Sequence, residues 1–349
     1  MSLLIKKVIK RTFLGLGILI VLLLIIFWDL VSYGVQQGYG QMHIVWNAKP
    51  VERFLSDPQF PDSLKAQLRF IDRVRKYSVD SLGLKDTKNY RTLYDQKGKE
   101  VMWVVMACKP FALEPKEWKF PIIGEVPYKG FFDQRRATKL KNELEKEGWD
   151  VVTRNPGGWS TLGWFTDPIL SKMLSRSEGD LANLIIHEMS HATIFVKDSI
   201  DFNENLATFI GDRGTEKFLI DTYGEESASY RTYIEEDKDY IKYVDHMLRG
   251  AKSLDSLYKT MHETDSLATK ERLKKDAIAK IVNKLDTLSL DLTVNPSSRF
   301  KNRLPNNAYF MNFRQYQSKQ NIFWDELRDD FHSDLPGYIE YLSTKYPFL

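Results

Sequence analysis

His187-Glu188-Met189-Ser190-His191, inside the apolar stretch 184–195, constrains this chain more than any other feature, because its chemistry requires a helix. On a helix, residues four apart share a face and stand about 5–6 Å apart at Cβ, so the two imidazoles can converge on one cation. Glu188 follows His187 by about 100° of helix turn, where its carboxylate can reach a water activated by the metal without becoming a ligand. The pattern points to a zinc hydrolase with Glu188 as general base. A buried helix with two ordinary core histidines would have to arise by accident. Six His and 20 Glu in 349 residues give a random expectation on the order of 0.006 such matches.

Ser177-Glu178-Gly179-Asp180 supplies a Ser-x-x-Asp helix start, and Leu181, Leu184, Ile185, Met189 and Ile194 continue at helical spacing. Catalytic zinc sites take three protein ligands and keep one position open, so a third ligand belongs downstream. Asn203-Glu204-Asn205-Leu206-Ala207 resembles the NExxA pattern of glutamate zincins, in which a second helix brings its Glu to the metal, and the resemblance implies Glu204 as that ligand. Only twelve residues separate His191 from Glu204, so residues 196–200 must make a tight turn.

The resemblance extends beyond the metal motif. Tyr33-Gly-Val-Gln-Gln-Gly-Tyr-Gly-Gln41, Trp46-Asn-Ala-Lys-Pro50, Phe120-Pro-Ile-Ile-Gly124, Tyr128-Lys-Gly-Phe-Phe132, Ser160-Thr-Leu-Gly-Trp-Phe-Thr-Asp-Pro168 and Leu304-Pro-Asn-Asn-Ala308 resemble, in order and spacing, the bacterial family named putative aminopeptidases over most of residues 33–349. The resemblance implies aminopeptidase-like hydrolysis of peptide bonds, with Zn²⁺ as cofactor and a peptide or protein as substrate. No Gly-x-Met-Glu-Asn stretch of the kind that binds a substrate amine is present, so peptide hydrolysis is read without fixing exo- or endopeptidase action.

The second strong signal is at the N-terminus. Residues 13–31 carry one charge, Asp29, and can span about 30 Å as a helix. Lys6, Lys7, Lys10 and Arg11 precede them with no acid, which predicts a cytoplasmic N-terminus and a catalytic portion on the other side of the membrane. The length of the run and the lack of a small-x-small site after it favour a signal anchor over a cleaved signal peptide, and no cysteine is placed for a lipid anchor. Residues 29–349 hold 46 basic and 47 acidic residues that alternate along helical stretches, so nucleic acid is excluded as a partner.

With 43% hydrophobic and 13% aromatic residues the chain can bury a core. Apolar residues at helical spacing predict helix over 51–84. Strand candidates at 90–94, 101–107, 121–126 and 149–153 flank a charged helix over 133–148. Gly157, Gly158 and the aromatic residues to Phe165 form either the edge strand beside the metal helix or a loop roofing the cleft. An edge strand there could pair with an extended peptide. Heptad-like spacing over 230–244 and 268–288 predicts a helical hairpin. The expected class is helix-rich α+β. It comprises a membrane anchor (1–31), a zincin-like core with a small mixed sheet (32–225), the hairpin (226–294) and a helical segment completing the core (295–349).

The mechanism expected from these residues binds Zn²⁺ through His187, His191 and Glu204, with Glu188 moving the proton. Tyr316, or Tyr309 on the same segment, is the candidate oxyanion donor. Asp198, Asp201 or Asp212 is expected to orient a histidine. Ser160 and Thr161 have no base placed for them and are not nucleophiles. Cys108, the only cysteine, follows an apolar strand and reads as structural. Two other readings use the same ligands: a membrane-tethered scaffold that binds zinc or a peptide without cleaving it, and a structural zinc site closed by Cys108 or His246.

Overall fold

The computed structural model describes residues 3–120, 124–158, 161, 165–292 and 295–346. The chain divides into two units, Met1–Asn47 and Ala48–Leu349. The first holds α1 (Leu3–Ile26) and α2 (Trp28–Asn47), separated by Phe27. Within α1, Lys6–Ile26 is long and apolar enough to cross a membrane, with a mean hydropathy of 2.4. This stretch starts earlier than the run 13–31, because the basic residues are part of the same helix and Trp28 begins the next one.

The second unit begins with β1 (Lys49–Pro50), α3 (Val51–Ser56) and α4 (Asp62–Asp80). The helical reading of 51–84 thus holds as two helices, closed where Gly83 takes φ +73°, a conformation costly for other residues. There follow β2 (Thr92–Tyr94), β3 (Trp103–Cys108), β4 (Trp118–Phe120), β5 (Gly124–Val126), β6 (Tyr128–Phe131), α5 (Gln134–Lys146), β7 (Asp150–Arg154) and β8 (Ile169–Leu170). Three of the four expected strands appear with shifted ends. The fourth appears as β5 over Gly124–Val126, while residues 121–123 lie outside the described residues. Tyr90 is excluded from β2 by its left-handed φ of 59°, and its N–H instead donates to the Asp167 carbonyl. β6 was not foreseen: Tyr-Lys-Gly-Phe is short and contains a glycine, and only pairing with β3 makes it a strand.

The sheets are small. β1-β2-β8 is mixed, β4-β5 is a hairpin, and β6-β3-β7 is antiparallel. In the last sheet Gly130, Val104 and Arg154 stand in one row across the strands. α5 covers the opposite face, capped by Asp133 and stopped at Gly148, φ +86°.

The remaining elements are helical. They are α6 (Glu178–His191), α7 (Ile200–Tyr223), α8 (Ala228–Lys259), α9 (Leu267–Asn283), α10 (Asn307–Gln317), α11 (Gln320–Asp329) and α12 (Leu335–Lys345), with 3₁₀ turns at Ser171–Ser175, Lys284–Thr287 and Pro296–Phe300. α8 and α9 pack together as the expected hairpin. The main core joins α4, α6, α7 and α12, and a second joins α8, α9 and α10 around Cys108.

Candidate metal centre

Ser177 starts α6 by accepting the Asp180 N–H at 3.2 Å. Leu181, Ile185 and Met189, one turn apart, are buried in the main core, which leaves His187 and His191 on the cleft side. α7 packs along α6 more extensively than any other pair of elements, and Gly211 allows it. A Cβ at 211 would stand 3.3 Å from both the Asn183 carbonyl oxygen and the His187 Cβ.

The turn between the two helices is set by the residue before Glu204. The Asn203 side chain accepts from the Val196 N–H (2.8 Å) and donates to the Val196 carbonyl (2.7 Å), closing the chain back onto the first turn of α7. Asn205, on the other side, donates to the Gln315 carbonyl (2.6 Å) and accepts the Lys319 N–H (2.8 Å), tying the end of α10 to α7. Glu204 is thereby fixed between two anchors.

His187 and His191 bring their Nε2 atoms to 3.2 Å, and Glu204 Oε2 lies 3.6 and 3.5 Å from them. Ligands about 2.0–2.1 Å from a tetrahedral ion are separated by about 3.3–3.4 Å. The three donors therefore already hold the spacing of one tetrahedral face, and they form a cluster able to hold a metal ion. Burial alone would raise the Glu204 carboxyl, but His191 and His187 outweigh it and hold it well below the usual range.

Glu188 is 8% exposed, lines the cleft, and has no hydrogen-bond partner among the described residues. Burial pushes its carboxyl up to about 7, opposed by His187 and reinforced by Glu204 and Asp167. Gly158 roofs it, since a Cβ there would sit 3.5 Å from Glu188 Oε1. Of the two readings of the glycine stretch, the described part, Gly157 and Gly158, is therefore roof rather than strand. Trp159, Ser160 and residues 162–164 lie outside the described residues. Thr161 is engaged with Asp167, donating through its hydroxyl at 2.7 Å.

Tyr316 reaches the same cleft from the end of α10, whereas Tyr309 bonds Tyr243 (2.9 Å) inside the second core. Its oxygen accepts from Arg154 Nη2 at 2.6 Å, with the guanidinium 5.0 Å from the ring centre. Arg154 Nε is buried without a partner, and no carboxylate pairs with this cation among the described residues. Burial and nearby Glu204 raise the Tyr316 phenol above its ordinary value despite Arg154, so it stays protonated. With its oxygen accepting from Arg154, its O–H is free to donate elsewhere.

The expectation that an aspartate orients a histidine is not met among the described residues. Asp198 accepts the Glu125 N–H (3.2 Å), and Asp212 accepts from Asn183 (2.7 Å). Asp201 reaches neither histidine, and His191 Nδ1 is buried without a partner. The turn after α6 directs Asp198 toward the β4-β5 hairpin instead. Cys108 and His246 lie outside the metal cluster. The Cys108 thiol donates to the Ala112 carbonyl and burial pushes it up to about 12, while His246 Nε2 contacts the Ile281 carbonyl at 2.8 Å. Sequence reading missed Arg154, Tyr128, Asn183 and Asp167. Strand alternation, which puts every second residue of β7 on the face toward α6, was the signal for Arg154. Tyr128 lines the same cleft from β6, which the sequence alone does not mark as a strand.

The model of a family described as putative aminopeptidase matches residues 32–343. Curated proteins and solved structures yield no match. With nearly the whole of the second unit and most of α2 inside the matched span, the chain belongs to the putative aminopeptidase family.

Proposed function

We propose that this protein is a zinc-dependent metallopeptidase of the glutamate-zincin type, anchored in a membrane by α1. The observation that carries the proposal is the spacing of His187, His191 and Glu204, with the unpaired Glu188 carboxylate one residue along α6. Zn²⁺ held by these three side chains would polarise a peptide carbonyl and make water more acidic. Glu188 takes the proton as the water oxygen attacks the carbonyl carbon, and gives it to the nitrogen as the C–N bond breaks. Tyr316 donates to the carbonyl oxygen as negative charge develops there, with Arg154 holding the phenol in line. The basic residues before the apolar stretch of α1 keep the N-terminus cytoplasmic and put residues 48–349 outside the cytoplasm, where peptides or proteins are the substrates.

The test is metal analysis of the purified protein together with a peptide-library digest. About one zinc per chain and cleavage that stops in Glu188→Gln are expected. Zinc without cleavage of any peptide would leave the scaffold reading instead.

A further inference from the structure

Along α7, Glu204, Thr208 and Asp212 follow one another at intervals of one turn, and along α6 so do His191, His187 and Asn183. Asn183 bonds Asp212 across the two helices, so the two rows run side by side away from the metal cluster. Beyond the metal cluster, His187, Asn183, Thr208 and Asp212 of these rows floor a cavity of about 430 Å³ that shares Arg154, Asp180, Asn183, His187 and Tyr316 with the metal cleft. Asn312 and Tyr316 of α10 make one wall, and Tyr233, Glu236, Asp237 and Tyr240 of α8 the other. The residues that line this cavity and not the metal cleft include the acids Asp212, Glu236 and Asp237, of which only Asp237 has an ion-pair partner among the described residues, Arg213 at 3.5 Å.

Two further atoms here lack partners. Thr208 is 9% exposed and its hydroxyl makes no hydrogen bond among the described residues. The Asn312 Oδ1 is buried and likewise unpartnered. A buried polar atom left unpaired, as Asn312 Oδ1 is, is destabilising, and a ligand supplying donors would relieve it. An ammonium group has three donors and no acceptor. Asp212, Thr208 and Asn312 offer it a carboxylate, a hydroxyl and an amide oxygen.

We infer that this chamber holds the free α-amino group of the substrate, with Asp212 as counter-ion and Thr208 and Asn312 as further acceptors. The inference rests on the peptidase reading, and what it adds to the family's description as aminopeptidase is the site that would hold the substrate's N-terminus. From Glu204 to Asp212 α7 rises about 12 Å, against about 3.3–3.6 Å per extended residue. At most about three residues fit ahead of the scissile bond.

The test compares Leu-Ala-Ala-Ala-amide with its N-acetyl form, both for cleavage by the zinc-loaded wild-type protein and for calorimetric binding to zinc-loaded Glu188→Gln. The free amine should be cleaved at least tenfold more efficiently, within the first three residues, and should bind at least tenfold more tightly. In Asp212→Asn, and more weakly in Thr208→Val, the ratio between the two peptides should fall toward one. Because that ratio is internal to each preparation, partial misfolding does not mimic it. Equal cleavage of both peptides overturns the chamber and leaves the peptidase reading standing. No cleavage of either with tighter binding of the free amine does the reverse, and neither cleavage nor discrimination overturns both.

Discussion

Arg154 and Tyr316, 162 residues apart, meet at 2.6 Å beside the metal cluster, the guanidinium donating to the phenol oxygen. The contact is possible because α10 is fixed at both ends. Asn307 at its start bonds Asp150 and the carbonyls of Lys109 and Pro110, and Asn205 holds its end. If Tyr316 donates to the developing oxyanion, Tyr316→Phe should lower kcat by about 10²–10³ with little change in KM. Arg154→Met should lower kcat as well, and the double variant should be no worse than Tyr316→Phe alone. Additive losses in that cycle would mean that Arg154 does not act through Tyr316.

Glu188→Gln keeps size and shape, so the histidines and Glu204 should bind zinc as before. The loss of a proton acceptor should lower kcat by about 10²–10⁴. Metal content and peptide turnover measured on the same sample decide this.

Asn203→Ala removes both bonds to Val196 from a fully enclosed side chain. The expected cost is about 1–3 kcal/mol of stability. Because the turn it closes sets where Glu204 stands, zinc affinity should also fall by about 10–100-fold. A competition titration with a chelator reads the second effect, and an unchanged affinity would show that Glu204 is positioned without the turn.

Asp167 is buried, and burial pushes its carboxyl up to about 6, although bonds from Thr161 oppose the rise. A carboxyl raised on folding binds its proton more tightly in the folded state, so it contributes stability at low pH and loses it as pH rises from about 4 through 6. At about 1.4 kcal/mol per pH unit the loss is on the order of 3 kcal/mol. Asp167→Asn should remove this dependence. Urea unfolding at pH 4.5 and pH 7 should find the wild type losing ground to the variant as pH rises, and a constant difference would contradict the assignment.

The sequence by itself determined what is local. His187, Glu188 and His191 needed only a helix, and Ser177 together with Leu181, Ile185 and Met189 specified one. The hairpin of α8 and α9 and the apolar helix α1 were legible for the same reason, since periodicity and capping act within a few residues. Tertiary structure alone decided what crosses the chain. Nothing near Arg154 in sequence pairs it with Tyr316, and the aspartates flanking the motif gave no sign that Asp212 would turn to Asn183 rather than to a histidine. Strand β6 existed only once β3 was beside it. Such contacts depend on how helices and a small sheet pack at a distance, and the free energy that selects them is shared across the core rather than written in any one motif.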